Sequence, residues 1–365
     1  MSGPPPEPVP LQLTGANPPQ LTGAKPPQWT ELAPLGGAAE IPQVFGELIA
    51  SRRVGAYSQL TFEAPAVAEL ARPGQFVALA VGGDTSANLL RRCFSIYQAT
   101  SMRTASPSVP RGGTVDVIVA ARGQGTRWLT RLPPHHEVSI IGPLGSGFPL
   151  PTDPVACVLV GGGYGSAPLF WLAAALRERG CHVEMVLGAA TKDRLFGAAE
   201  AHSVADGVSV TTDDGSLGTR GWVSDVLPAV IESTGATLIY GCGPMAMLHS
   251  VSQIATRHGA VAQVAVEESM ACGVGVCMTC VLPVTGDDGL TRMVRSCVEG
   301  PVFRGDRIRW DAFDNGWCRV PEDAYGAAAT RATGVTGATG VAGATGVAGF
   351  AGATGATEAT EATDG

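Results

Sequence analysis

Positive charge is in short supply. Lys and Arg total 24 against 32 Asp and Glu, a formal net charge of −8 over 365 residues. Such a balance leaves no electrostatic footprint for nucleic acid or for an anionic membrane surface. The first ten residues, MSGPPPEPVP, have neither a basic stretch nor an apolar core. No cleaved leader is expected from them, and a reduced, cytoplasmic compartment is. A membrane span is also lacking. Residues 155–176 carry no charge, but four glycines and Pro168 interrupt them, which predicts strand, turn and helix instead. The six histidines (135, 136, 182, 202, 249, 258) are scattered and form no cluster suited to acid–base catalysis. Nine cysteines is an odd number, unsuited to a closed disulfide framework. Apolar residues, by contrast, make up 45% of the chain, ample for the cores of two or three ordinary domains.

Four of the cysteines carry the strongest signal. Cys272, Cys277 and Cys280 stand at C-x4-C-x2-C, and Cys297 follows after 16 intervening residues. Plant-type ferredoxins hold a 2Fe–2S cluster with this kind of spacing. Gly273 and Gly275 let the backbone curl tightly and aim amides at sulfur. Zinc sites usually pair two C-x2-C knuckles, and only Cys277 and Cys280 make one here. Zinc and unliganded thiols remain the alternatives. A cluster passes one electron at a time, so the rest of the chain should contain what exchanges electrons with it.

The pattern along the chain changes several times. Residues 1–40 are rich in Pro and Gly, repeat LTGANPPQ as LTGAKPPQ, and predict disorder. Residues 41–152 show short strand-like runs between Gly/Pro turns, which predicts a small antiparallel barrel. Residues 153–262 alternate strands with helices, which predicts a doubly wound parallel sheet. Residues 263–320 hold the four cysteines as a small C-terminal domain. Residues 321–365 form a low-complexity Gly/Ala/Thr tail, with glycine at every third position over 334–355 but no proline in the triplets. A flexible tail is expected there before a collagen-like stalk. The fold class is therefore multidomain, β followed by α/β.

Three further motifs suggest binding sites. In LLRRCFSI, which ends an apolar run, Arg92 could pair with a diphosphate and Ser95 could hydrogen-bond a flavin ring; two solvated arginines are the plainer reading. In RGQGT, Gly123 and Gly125 could admit phosphate to backbone amides, and Thr126 could cap the helix that follows or donate to the anion. An ordinary helix-entry turn would look the same. In GGGYGSAP the glycines follow a strand and open a helix, the context of a dinucleotide fingerprint, with Pro168 at its last position. Gly163 and Gly165 are the candidate residues of that turn. TDDGSLG and the turn at Cys242, Gly243 and Pro244 also end predicted parallel strands, where open α/β sheets bind ligands. Cys242 could reach a nicotinamide edge or simply be a small buried residue. No arginine cluster follows HVEMVLGAA to receive a 2′-phosphate, which favours NAD(H) over NADP(H).

Taken together, LLRRCFSI, GQGT, GPLGSGF, GGGYGSAPL, TDDGSLGTRG, YGCGPMAML, EESMACGVGVCMTC and RSCVEGPVF resemble the ferredoxin-reductase-like flavoproteins. Within these, the chain is similar to the electron-transfer subunits of type B, NAD-dependent dihydroorotate dehydrogenases, over residues 41 to about 318. The resemblance implies a barrel for FAD, a parallel-sheet domain for NAD(H) and a 2Fe–2S domain, in that order. It implies FAD on Arg92, Ser95, Gly123, Gly125 and Thr126, NAD(H) at Gly163, Gly165, Cys242, Gly243 and Pro244, and the cluster on Cys272, Cys277, Cys280 and Cys297. It also implies an FMN-containing dihydroorotate dehydrogenase catalytic subunit as partner in a heterotetramer, acting in pyrimidine (UMP) biosynthesis. One departure stands out: the arginine–serine motif usually carries proline where this chain has Cys93. The alternatives are a reductase component for a ferredoxin, hydrogenase or oxygenase, and a non-redox adaptor with a zinc-bound cysteine module.

Overall fold

The computed structural model describes residues 41–83, 86–101, 112–314 and 317–325. The expected disordered segment 1–40 and residues 326–365 of the expected tail lie outside this range. Six antiparallel strands close a barrel: β1 (Gln43–Val54), β2 (Tyr57–Glu63), β3 (Phe76–Leu79), β4 (Arg92–Thr100), β5 (Thr114–Val119) and β6 (Glu137–Leu144). Their order around the barrel is β1-β2-β5-β4-β3-β6. Alternate residues point inward, so Leu60 and Phe62, Val117 and Val119, Ile96 and Ile140 fill the interior. Each such side chain contributes roughly 1.5–3 kcal/mol by leaving water. Two short helices, α1 (Pro65–Leu70) and α2 (Gln124–Leu129), lie in the connections.

One local expectation changes. Arg92 begins a strand, β4, rather than ending an apolar run. Leu89 and Leu90, which made the apolar run, are 91% and 53% exposed. The strand's apolar face is instead Phe94 and Ile96, on the barrel side. The neighbouring Arg91 is not a solvated arginine: it donates to the Ser139 carbonyl at 2.8 Å and the Ser139 hydroxyl at 3.0 Å.

The second layer system is a parallel sheet built from β7 (Ala156–Gly162), β8 (His182–Ala189), β9 (Gly207–Thr212), β10 (Thr219–Arg220), β11 (Leu238–Cys242) and β12 (Val261–Ala265). The order is β10-β9-β8-β7-β11-β12, so the chain reverses direction of travel between β7 and β11. Helices cover both faces. Leu159 and Leu187 pack under α3 (Ala167–Glu178) and α4 (Ala198–Val204). Val158, Val160 and Val186, one step out of phase, pack under α5 (Val223–Thr234) and α6 (Met245–Arg257). A strand buried on both faces needs such unbroken apolar runs.

The cysteine region adds a hairpin, β13 (Val281–Thr285) with β14 (Thr291–Arg295), and a short strand, β15 (Val302–Arg304). β15 pairs antiparallel with β12 and so extends the parallel sheet. Leu282 and Ile308 share one core with α5 and α6. The boundary expected at 262 therefore falls inside β12, and the last segment of the fold is continuous with the sheet. The GPLGSGF linker is held from both sides: Ser146 N–H donates to the Gly300 carbonyl at 2.6 Å and Phe148 N–H to the Pro73 carbonyl at 2.8 Å.

Aromatic residues join the barrel to the parallel sheet. Tyr57 and Tyr97 from the barrel pack against Phe170 and Phe196, with ring centroids 5.8–6.1 Å apart. Tyr57 donates to the Arg194 carbonyl at 2.7 Å, and Tyr97 donates to the Glu200 carboxylate.

Candidate functional site

The loop carrying the first three candidate cysteines lies against the outer face of β3 and β4. Gly273 has φ +72°, and a Cβ built on it would sit 3.0 Å from Cys93 Sγ and 3.5 Å from the Phe76 ring. Gly275 has φ +81°, and its Cβ would meet Val298 at 2.5 Å. Both positions need glycine for space as well as for backbone angle. The thiols fall into two interacting pairs, Cys272 with Cys277 inside the loop and Cys280 with Cys297, which follows β14. Among the described residues no three His, Cys, Asp or Glu side chains converge on a point suited to a single ion. Two pairs are the donor set for two irons rather than one, and they fit a binuclear cluster. Burial opposes ionisation of Cys277, but hydrogen bonds from the Thr279 hydroxyl (3.2 Å) and amide, together with contact with Cys272, lower its thiol to about 6. Iron binds thiolate, so this is the state ligation requires. Burial pushes Cys297 up to about 12, helped by its hydrogen bond with Cys280.

Arg295 braces the loop from outside. It donates to the Gly275 carbonyl at 3.1 Å while its fork grips Glu299, closest at 2.7 Å. Nothing in the local sequence marks this residue, because its target lies 20 positions away.

At the rim of the barrel the FAD candidates converge. Arg92 Nε lies 3.4 Å from the position a Cβ on Gly125 would take, so the arginine and the RGQGT loop share one corner. Arg92 itself donates to the Leu90 carbonyl at 2.6 Å. The Thr126 hydroxyl accepts the Arg122 and Gly123 amides at 2.9 and 3.0 Å, which commits it to holding the turn before α2. Ser95 sits on the outer face of β4 and is exposed. That face orders its residues: Cys93 against the thiol loop, Ser95 open, Tyr97 against the parallel-sheet domain. A guanidinium, the first amides of α2, which have no partner within the helix, and an open hydroxyl suit a flavin dinucleotide.

The third group lies at the switch between β7 and β11. A 3₁₀ turn at Gly163–Ser166 separates β7 from α3, so the helix starts later than the motif suggests. Gly163 has φ +57°. A Cβ on Gly165 would lie 2.8 Å from Gly243 Cα, and one on Gly162 would lie 2.7 Å from Pro244. The two turns thus abut, and glycine is what lets them. Cys242 ends β11, buried. Burial first, and then the charge of Glu267, push its thiol far above the usual range, so it stays neutral.

Glu267 was not apparent from the sequence. Its carboxylate accepts from the Tyr164 hydroxyl at 3.3 Å, and the Arg122 guanidinium lies 5.2 Å over the Tyr164 ring. Glu267 reaches the surface yet is closely surrounded by protein, and this desolvation raises its carboxyl against the pull of Tyr164 and Arg122. Through these contacts the barrel loop, the Gly163 turn and the segment leading to Cys272 meet at one place. No motif could announce it, since its members come from three parts of the chain.

Known proteins resemble this chain in sequence and fold. The model of the iron–sulfur cluster binding domain of dihydroorotate dehydrogenase B matches residues 267–309. The chain is 38% identical over 254 residues to the electron transfer subunit of dihydroorotate dehydrogenase B (NAD(+)) from Geobacillus thermodenitrificans, covering 68% of this chain and 91% of that protein. The counterpart from Desulforamulus reducens is 32% identical over 252 residues, covering 69% and 92%. A solved structure of an NADH-dependent reduced ferredoxin-NADP oxidoreductase, studied for flavin-based electron bifurcation, matches with a TM-score of 0.62 at 28% identity. It covers 76% of this chain and 92% of that one. On these identities and coverages the chain belongs to the family of dihydroorotate dehydrogenase B (NAD(+)) electron transfer subunits.

Proposed function

We propose that this chain relays electrons from a partner that oxidises dihydroorotate to NAD+, within pyrimidine (UMP) biosynthesis. The observation that carries this reading is the order along the outer face of β4. Its residues run from the paired thiols, past an exposed hydroxyl, to the domain whose strand ends form the nucleotide crevice. FAD, a 2Fe–2S cluster and NAD(H) are the cofactors. When bound, the cluster carries single electrons and the flavin interconverts them with the hydride exchanged at nicotinamide.

Cys272, Cys277, Cys280 and Cys297 ligate the cluster as two pairs. Arg92 binds the FAD diphosphate with the first amides of α2 around Gly125, Gly123 leaves the turn open to it, Thr126 holds that turn in shape, and Ser95 meets the flavin ring. Gly163 and Gly165 admit the NAD(H) phosphates, while Cys242, Gly243 and Pro244 wall the nicotinamide pocket. No arginine cluster follows β8 to receive a 2′-phosphate, which supports NAD(H) over NADP(H).

A catalytic partner subunit follows from the family. The finer proposal is that it carries FMN and that two copies of each subunit form a heterotetramer. Val274, Val276, Met278 and Val298 are exposed apolar side chains around the thiol loop, which supports docking of the partner there. Among the described residues no helix is long and apolar enough to cross a membrane. A cytoplasmic location is proposed from the nine free cysteines.

The test is the chain purified anaerobically from its own cell with whatever remains bound, given dihydroorotate and NAD+. NADH should form only when the flavoprotein partner co-purifies. No turnover, with NADH still bleaching the visible spectrum, would reject the dihydroorotate assignment and leave a reductase for another redox partner.

A further inference from the structure

We propose that Cys93 raises the reduction potential of the cluster by donating its S–H toward cluster sulfur. The proposal rests on the ligation of a 2Fe–2S cluster by the four cysteines at 272, 277, 280 and 297. Cys93 belongs to neither thiol pair, and its S–H has no hydrogen-bond acceptor among the described residues. Yet its Sγ lies 3.0 Å from the Cβ position of Gly273, directly after the first ligand, and within electrostatic reach of Cys272, Cys277 and Cys280.

Its surroundings leave the S–H little else to do. Phe76, Ala78 and Leu144 bury this region together with Cys280 and Cys297, and Cys93, Ile141 and Met270 pack around them. β3 places Ala78 opposite Cys93, and so small a neighbour leaves the thiol room to turn. In such apolar surroundings one oriented dipole acts strongly on a nearby charge. Reduction adds a negative charge to the cluster. A donor at its sulfur favours that state, and hydrogen bonds to sulfur are among the recognised controls of cluster potential. Proline, the usual residue of this motif, has no side-chain donor. Two residues further along the same strand face, about 7 Å away at the rise of an extended chain, stands Ser95. The thiol therefore occupies the gap between the loop and the flavin-facing hydroxyl.

The experiment uses the full chain, purified anaerobically with its cofactors, as wild type, Cys93→Ala and Cys93→Ser. Iron and sulfide content and the visible spectrum establish that a cluster is present. Midpoint potentials then come from redox titration followed by electron paramagnetic resonance. Cys93→Ala should lower the potential by about 59 mV, a tenfold change in the reduction equilibrium of a one-electron couple. Cys93→Ser, which keeps a donor, should restore most of it. An unchanged potential in Cys93→Ala would overturn the proposal. So would equal falls in both variants, or loss of the cluster from Cys93→Ala alone, since each makes the side chain a packing element. Absence of iron and sulfide from the wild type would instead reject the ligand assignment beneath it.

Discussion

Single residues set the local chemistry, and two of them give sharp expectations. Burial pushes Glu268 up to about 7 from the ordinary 4.5, against a hydrogen bond from the Ser269 amide. The folded chain thus keeps a proton that the unfolded chain has already lost. The contribution of Glu268 to stability is fully present below pH 4.5, falls as pH rises toward about 7, and then levels. Glu268→Gln should flatten this slope. Melting temperatures of both proteins between pH 5 and 8 check it, and parallel curves would count against it. At Gly165, a methyl group would drive into Gly243 Cα at 2.8 Å. Gly165→Ala should raise the NADH concentration needed to reduce the flavin about tenfold, a cost of about 1.4 kcal/mol, while the visible spectrum of the oxidised protein stays unchanged. The thiol ligand candidates were legible because their spacing is local. Glu267 was not, because Tyr164 and Arg122 are brought to it only by the fold. For Thr126 the sequence left capping and anion binding open, and its hydroxyl holds the turn.

Elements show where periodicity informs and where it fails. Five of the six barrel strands and the four helices of the parallel-sheet domain follow from alternation, turns and helix starts. β4 was obscured because the leucines before it made Arg91 and Arg92 look like the end of an apolar run, whereas its apolar face begins at Phe94. β15 has three residues, too few for any period, and only its pairing with β12 reveals it. The thiol loop between β12 and β13 has no regular structure and depends on its braces. Arg295→Ala frees the Gly275 carbonyl and should speed loss of iron to a chelator severalfold, with the flavin retained. Equal rates of iron release in variant and wild type would show that the brace is ornamental.

For the whole molecule, the decisive contacts are those between the barrel and the parallel sheet. The order of domains was legible from changes of pattern, but their seams were not, because aromatic residues at an interface look like aromatic residues in a core. Phe196 is 2% exposed and touches Tyr57, Tyr97 and Phe170. Phe196→Ala should cost about 3–5 kcal/mol. It should also uncouple the two units, so that calorimetry shows a second transition where the wild type shows one. A single transition shifted to lower temperature would mean that the seam is not what couples them. The pairing of β15 with β12 also bears on how the chain is made. During synthesis β12 leaves the ribosome well before β15, so one edge of a nearly finished sheet stays unpaired, ready to join an edge on a neighbouring nascent chain. A message cut short before codon 302 would leave that edge open permanently, and its product would be expected in the insoluble fraction.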